Sequence, residues 1–220
     1  AGQLHPAAES YAAAKRSLAQ LTQWFRGQHG DAFACVLPGN FFGAYGDFDP
    51  ASAPLVNALI ARAEAARTTG ATAPLQVMGT GNPERQIMHA ADLARACVWA
   101  LFNYDDEEPL IVTGEELSVR RAAELVCEAT GFGGGLAFET GEVDGPLKRT
   151  ADGSKFEALC PQFAFRPVID GMRDTVAWFR REVGGQGGVT ATLRVGVAAS
   201  GKAGMAAVGA SSQGVTATKV

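Results

Sequence analysis

Two residue types that can share a proton stand four apart near the start of the chain, in Ser10-Tyr11-Ala12-Ala13-Ala14-Lys15. On a helix this spacing puts phenol and ammonium on one face. A phenol titrates near pH ~10 and a fixed cation beside it favours the phenolate, so such a pair suits proton exchange with a substrate near neutrality. Further along, Pro38-Gly39-Asn40-Phe41-Phe42-Gly43 combines two glycines, which permit close backbone approach, with an amide that both donates and accepts. It is either a ligand loop or a plain turn. Gly79-Thr80-Gly81-Asn82-Pro83-Glu84-Arg85 lacks the lysine and hydroxyl pair of a phosphate-gripping P-loop, but its guanidinium suits a diphosphate as well as it suits solvent. Asp144, Lys148 and Arg149 mix charges in another loop, as either a polar-ligand site or a solvated face.

The elements that must hold these groups alternate. Tyr11, Ala14, Leu18, Leu21, Thr22 and Phe25 keep helical spacing, predicting a first helix to about Gly27 with one buried stripe. Residues 32–37 are a short apolar run, expected as a strand covered on both faces of a parallel sheet, with the 38–43 loop leaving its carboxyl end. Leu55 to Ala63 predict a second helix ending near Gly70 and carrying Arg62; Leu75-Gln76-Val77-Met78 predict a strand, and 86–89 another. Asp92 suits the N-terminus of a helix over 91–103. Strands at 110–112 and 136–139, a helix over 119–130 capped by Ser118, and a last helix ending at Gly184 complete an α/β pattern.

Composition separates a body from a tail. Residues 184–220 hold nine of the 27 Gly, no aromatic residue and no acid, and are expected to be disordered. The preceding residues carry 16 basic and 23 acidic side chains, a balance that argues against a nucleic-acid surface. No apolar run of ~18 residues and no basic-then-apolar leader is present, so a soluble chain without a membrane span is expected. Cys35, Cys97, Cys127 and Cys160 lie far apart without a Cys-x-x-Cys, as expected of core thiols in a reducing cytosol rather than disulfides or a metal site.

In order and spacing, Tyr11-Ala-Ala-Ala-Lys15, Leu37-Pro38-Gly39-Asn40-Phe41-Phe42-Gly43, Gly79-Thr80-Gly81-Asn82-Pro83-Glu84-Arg85-Gln86 and Ala91-Asp92-Leu93-Ala94 resemble the extended short-chain dehydrogenase/reductase superfamily. Within it, the third of these motifs and the later Asp144-Gly145 with Lys148, Arg149 and Thr150 resemble the GDP-L-fucose synthases. The resemblance covers about residues 1–183. It implies the C-terminal part of a Rossmann-type doubly wound parallel sheet plus a smaller α/β substrate-binding lobe. Residues 1–45 and 86–113 would belong to the former, 46–85 and 114–183 to the latter.

The activity implied is NADP-dependent epimerisation and reduction of a GDP-linked keto-deoxy sugar, GDP-4-keto-6-deoxy-D-mannose, to GDP-L-fucose, in a cytoplasmic homodimer. The resemblance makes Tyr11 the catalytic acid and Lys15 its partner, also touching the nicotinamide ribose. Pro38, Gly39, Asn40 and Phe41 would line the nicotinamide. Arg62, Met78, Arg85 and Asp144 would contact the GDP-sugar, Arg85 at the diphosphate and Asp144 at the nucleoside. Three departures accompany it: Met78 stands where many relatives carry Trp, Pro54 falls at the family's catalytic histidine, and no Gly-x-x-Gly-x-x-Gly follows a first strand. The alternatives are another nucleotide-sugar epimerase or dehydratase of the superfamily, and a truncated, non-catalytic nucleotide-sugar-binding protein.

Overall fold

The computed structural model describes residues 9–30, 32–50, 52–141 and 146–184. Asp144 and the expectation for residues after Gly184 lie outside them. In chain order the elements are α1 (Glu9–His29), β1 (Val36–Pro38), β2 (Asn40–Phe42), α2 (Leu55–Thr69), β3 (Leu75–Met78), β4 (Glu84–His89), α3 (Ala90–Asn103), β5 (Leu110–Val112), β6 (Glu115–Ser118), α4 (Val119–Thr130), β7 (Leu136–Glu139), β8 (Lys148–Arg149), α5 (Ser154–Leu159) and α6 (Val168–Glu182). The class is α/β. Four of the strand pairs, β1–β5, β2–β4, β3–β7 and β4–β8, are parallel, and β4–β6 is antiparallel.

Local chemistry explains the helix ends. Ser118 accepts from the Arg121 amide at 3.1 Å to start α4, and Gly131 closes it at φ 70°. Gly70, at φ 68°, does the same for α2. The imidazole of His89 caps α3, Nδ1 accepting from the Ala91 amide at 3.2 Å. Asp92, which suited that helix start, is buried and accepts from the Arg166 backbone at 3.1 Å, so it ties α3 to the segment before α6.

Two apolar cores result. Helices α2, α4 and α6 bury Leu59, Ile60, Val126, Met172 and Val176 against Leu75 and Val77 of β3 and Ile87 of β4. The second core gathers Met88 of β4, Ala96 and Ala100 of α3, Leu110 and Val112 of β5, and Phe156 of α5. Glu64 sits at the edge of the first core, 4% exposed. Arg180 grips it from α6 with two bonds, Nε to Oε2 at 3.0 Å and Nη2 to Oε1 at 2.8 Å, and Arg67 adds a third cationic donor at 3.0 Å.

Several expectations are corrected. Asn40–Phe42 is not a loop: the chain leaves one sheet at Pro38, turns at Gly39 and enters the next as β2, paired with β4. The strand expected at 86–89 begins at Glu84, because Glu84 and Arg85 find partners on both β6 and β8, so Arg85 lies in a strand rather than a turn. Elements β6, β8 and α5 were not foreseen. Helix α1 forms but buries no residue; among the described residues nothing covers its apolar stripe. The strand expected over 32–37 forms only at Val36–Pro38, parallel to β5 but poorly covered, with Leu37 exposed, and Phe33 ahead of it is exposed as well. Of the four thiols expected in the core, Cys160 is buried, Cys35 and Cys127 are half-buried and Cys97 is exposed on α3.

The turn between β5 and β6 crosses β4 at a point with no room for a side chain. A Cβ on Gly114 would lie 2.2 Å from the Ile87 carbonyl oxygen and 2.7 Å from Met88 Cβ. Gly114→Ala should therefore push β6 off β4 and lower stability by about 1–3 kcal/mol, measured by denaturant unfolding. An unchanged midpoint would show that the strand crossing yields.

Candidate active site

Helix α1 carries Tyr11 and Lys15 as their spacing predicts. The Lys15 ammonium lies 5.6 Å from the centre of the Tyr11 ring, and Tyr11 is 67% exposed. Three alanines between them favour the helix, with Glu9 in its first turn and Arg26 in its last, each sign matching the helix dipole. Gln23 and Arg26 fasten the last turns: Gln23 donates to the Glu107 carbonyl at 3.2 Å, and Arg26 donates to the Phe33 carbonyl at 3.0 Å and the Asp105 carboxylate at 2.6 Å. That acidic loop is itself held by Lys155, which contacts Asp106 at 2.8 Å and Glu108 at 3.0 Å. Hydrogen bonds that Lys155 donates to Asp106, Tyr104 and Glu108 push its pKa up.

Pro38, Gly39, Asn40 and Phe41 mark the crossing from the β1–β5 pair to β2. Gly39 donates to the Val112 carbonyl at 2.9 Å, and a Cβ there would sit 3.3 Å from the Gln86 carbonyl oxygen. The Asn40 amide donates to that same Gln86 carbonyl at 3.2 Å, so its nitrogen is engaged in joining β2 to β4. Pro38 and Phe41 are exposed at the carboxyl end of the parallel pair, the edge at which open α/β sheets bind ligands.

Arg62, Met78 and Arg85 gather around β3 and β7. These two strands run parallel, Met78 opposite Glu139, and the loops leaving their carboxyl ends lead to β4 and β8, which also run parallel. The described ends of these loops therefore lie side by side. They are stitched by Gly79 donating to the Glu139 carbonyl at 3.2 Å, Glu84 to the Leu147 carbonyl at 2.7 Å and Arg85 Nη1 to the Pro146 carbonyl at 3.0 Å. Met78 is 69% exposed. Arg62 is half-buried on α2 and donates to the Gln76 carbonyl at 2.9 Å, bracing β3 from behind. Thus Met78 and Arg85 stand beside the joined ends of these two loops, with Arg62 bracing β3; Asp144 lies outside the described residues.

Sequence reading missed two residues beside these loop ends. The Arg120 guanidinium stacks 3.8 Å above the Phe138 ring and donates to the Thr80 carbonyl at 3.1 Å, while its amide donates to the Gly81 carbonyl at 2.9 Å. Glu139 is the other; the alternation of β7 was the available signal, since it sends Phe138 inward and Glu139 out. Lys148 is not free for an anion: hydrogen bonds to Glu116 at 2.7 Å and to Glu84 at 3.3 Å push its pKa up.

Pro54 occupies the N-cap of α2 without a side-chain cap, and its carbonyl accepts from Ala58 at 2.9 Å. His89 is buried on its capping duty; burial first, then Arg166, hold its pKa down against Asp92 and Asp174. A separate cavity of about 420 Å³, between β4, α5 and the segment before α6, is lined by none of the predicted residues. Its Arg166 is already paired with Asp92 and Asp174. Among the described residues no His, Cys, Asp and Glu cluster is arranged for a metal ion, and no helix is long and apolar enough to cross a membrane.

The described residues thus form an α/β frame of mostly parallel strand pairs, with Tyr11 and Lys15 exposed on α1 and Met78 exposed at the carboxyl end of β3. Residues 1–113 match the family described as the NAD dependent epimerase/dehydratase family, and the chain belongs to it. Within that class it is similar to GDP-L-fucose synthase of Dictyostelium discoideum, 35% identical over 181 residues that cover 81% of this chain and 56% of that protein. GDP-L-fucose synthase 1 of Arabidopsis thaliana is 36% identical over 183 residues, covering 82% and 55%. Among solved structures, a GDP-L-fucose synthetase from Naegleria fowleri bound to NADP superimposes with a TM-score of 0.76 at 31% identity, over 82% of this chain and 58% of that one. The chain thus spans somewhat over half the length of these relatives.

Proposed function

We propose that this chain is the Tyr/Lys-bearing and sugar-nucleotide-binding portion of an NADP-dependent epimerase/reductase that converts GDP-4-keto-6-deoxy-D-mannose to GDP-L-fucose. The observation that carries the reading is its similarity to GDP-L-fucose synthases over four fifths of its length, with Tyr11, Lys15, Met78 and Arg85 standing on ordered elements. Tyr11 protonates the C4 oxygen, and Lys15 steadies it and holds the nicotinamide ribose. Arg85 serves the diphosphate and Asp144 the nucleoside, and Arg62 and Met78 contact the GDP-sugar. Residues 1–45 and 86–113 belong with the cofactor domain, and 46–85 and 114–183 form the substrate lobe.

NADP fits what this chain presents at its nicotinamide end: an exposed ammonium at Lys15, and exposed Pro38 and Phe41 beside a glycine at the carboxyl edge of β1–β5. When bound, NADPH supplies the hydride. The chain's own residues orient the keto-sugar and move the proton at its C4 oxygen. The uncovered stripe on α1, with Leu18, Leu21, Trp24 and Phe25 exposed, supports a homodimer built through this helix.

The test supplies this chain with the cofactor-binding half of a GDP-L-fucose synthase and offers NADPH and the keto-sugar. NADPH oxidation with appearance of GDP-L-fucose is expected; loss of the chain from the mixture should abolish it. Pro54 at the start of α2 favours a second reading, a nucleotide-sugar-binding protein without turnover. Retained GDP binding with neither hydride transfer nor solvent deuterium entering the sugar would select it.

A further inference from the structure

We infer that Glu139 reads the base of the bound nucleotide, accepting hydrogen bonds from the N1–H and 2-amino groups of a guanine that rests on Met78; this assignment rests on the sugar-nucleotide reading above. Three observations lead to it. First, the open face of the β3–β7 pair presents Gln76, Met78 and Glu139, while Leu75, Val77 and Phe138 turn to the core. Met78 and Glu139 stand opposite each other at the carboxyl ends of their strands, where a parallel pair receives ligands. Second, the ledge beside them is fixed before any ligand arrives. Gly79 and Gly81 turn at φ 80° and 82°, and Arg120, stacked on Phe138, holds the Thr80 and Gly81 carbonyls. Third, the Glu139 side chain makes no hydrogen bond or ion pair with any described residue, whereas neighbouring Glu84 and Glu116 are both taken by Lys148.

The chemistry selects the base. A carboxylate offers two acceptors and no donor, and guanine alone among the common bases shows two adjacent donors on its pairing edge. Uracil shows one donor between two acceptors, and adenine opposes an acceptor to the carboxylate. A thioether is polarizable and flat enough to accept a ring face. Arg85, held to Pro146 at 3.0 Å across the same pair of loops, lies at the end where the diphosphate would run.

Titration calorimetry of the 220-residue chain with GDP, IDP and UDP tests this, with IDP lacking only the 2-amino group. The wild type should bind GDP about tenfold or more tighter than IDP or UDP, as expected for one bidentate pair. Glu139→Gln, on an exposed site, should fold normally, bind IDP within a few-fold of wild type and lose the GDP preference. GDP binding whose preference survives the substitution would overturn the role of Glu139 and leave the sugar-nucleotide reading standing. A chain that binds none of the three would overturn both.

Discussion

Tyr11→Phe should stop reduction while leaving the fold untouched. The ring is 67% exposed on a helix with no buried residue, so losing the hydroxyl removes no packing and strands no partner in the core. What it removes is the transferable proton. A positioned acid contributes about 10²- to 10⁴-fold, or roughly 3–5 kcal/mol of barrier. Hydride transfer, followed by NADPH absorbance in the chain supplied with a cofactor-binding half, should fall by that factor. Deuterium wash-in beside the ketone, followed by mass spectrometry, should change much less, because that exchange uses other groups. Reduction within a few-fold of wild type would make the Tyr11 and Lys15 pairing a surface coincidence.

The largest expected loss of stability comes from Arg180→Ala. Glu64 is 4% exposed and owes its charge to Arg180, which crosses from α6 to α2 and also donates to the Thr130 carbonyl at 2.7 Å. Removing one partner of a buried pair leaves an uncompensated charge and costs about 3–5 kcal/mol; Arg67, still bonded at 3.0 Å, should keep the loss near the lower end. Burial alone would raise the Glu64 pKa. The hydrogen bonds from Arg180 and Arg67 outweigh it and hold the pKa below the ordinary carboxylate value. A carboxylate with a lowered folded pKa stabilises the protein above its unfolded pKa, and that stability is lost as pH falls through the folded value. Arg180→Ala should therefore both lower the denaturant midpoint at pH 7 and move acid unfolding to higher pH. Equal acid midpoints for variant and wild type would show that Glu64 does not depend on Arg180.

Local signals carried far in this sequence where the governing interaction was itself local. Ser118 and Gly131 frame α4 because a hydroxyl cap and a left-handed stop act within one turn. The Tyr11 and Lys15 pairing was legible because helix geometry alone brings them together. Strand β6 was not, since Glu115-Glu116-Leu117-Ser118 has no apolar alternation and is a strand only through its bonds to β4. The same applies to Lys148 and Arg149, a two-residue strand with the same partner. Helix α1 erred in the opposite sense, because a periodic stripe states that a face is apolar and leaves open what covers it. Beside the β3 and β7 loops, Met78 came from resemblance alone, whereas Arg85 was also legible as a guanidinium after a glycine-rich turn. Arg120 stacked on Phe138 joins residues eighteen positions apart through a fold that no local pattern announces.

Strand β4 is a party wall. Its adjacent side chains Ile87 and Met88 point into different cores, one under α2, α4 and α6, the other under α3 and α5. Neither core can lose this strand and keep its own packing, so melting on one side withdraws support from the other. Heat should take both in a single cooperative event, with calorimetric and van't Hoff enthalpies equal, and two resolved heat-absorption peaks would refute it. Cofactor-side and sugar-side chemistry would then share one thermal fate: a ligand gripping either side defers the melting of both.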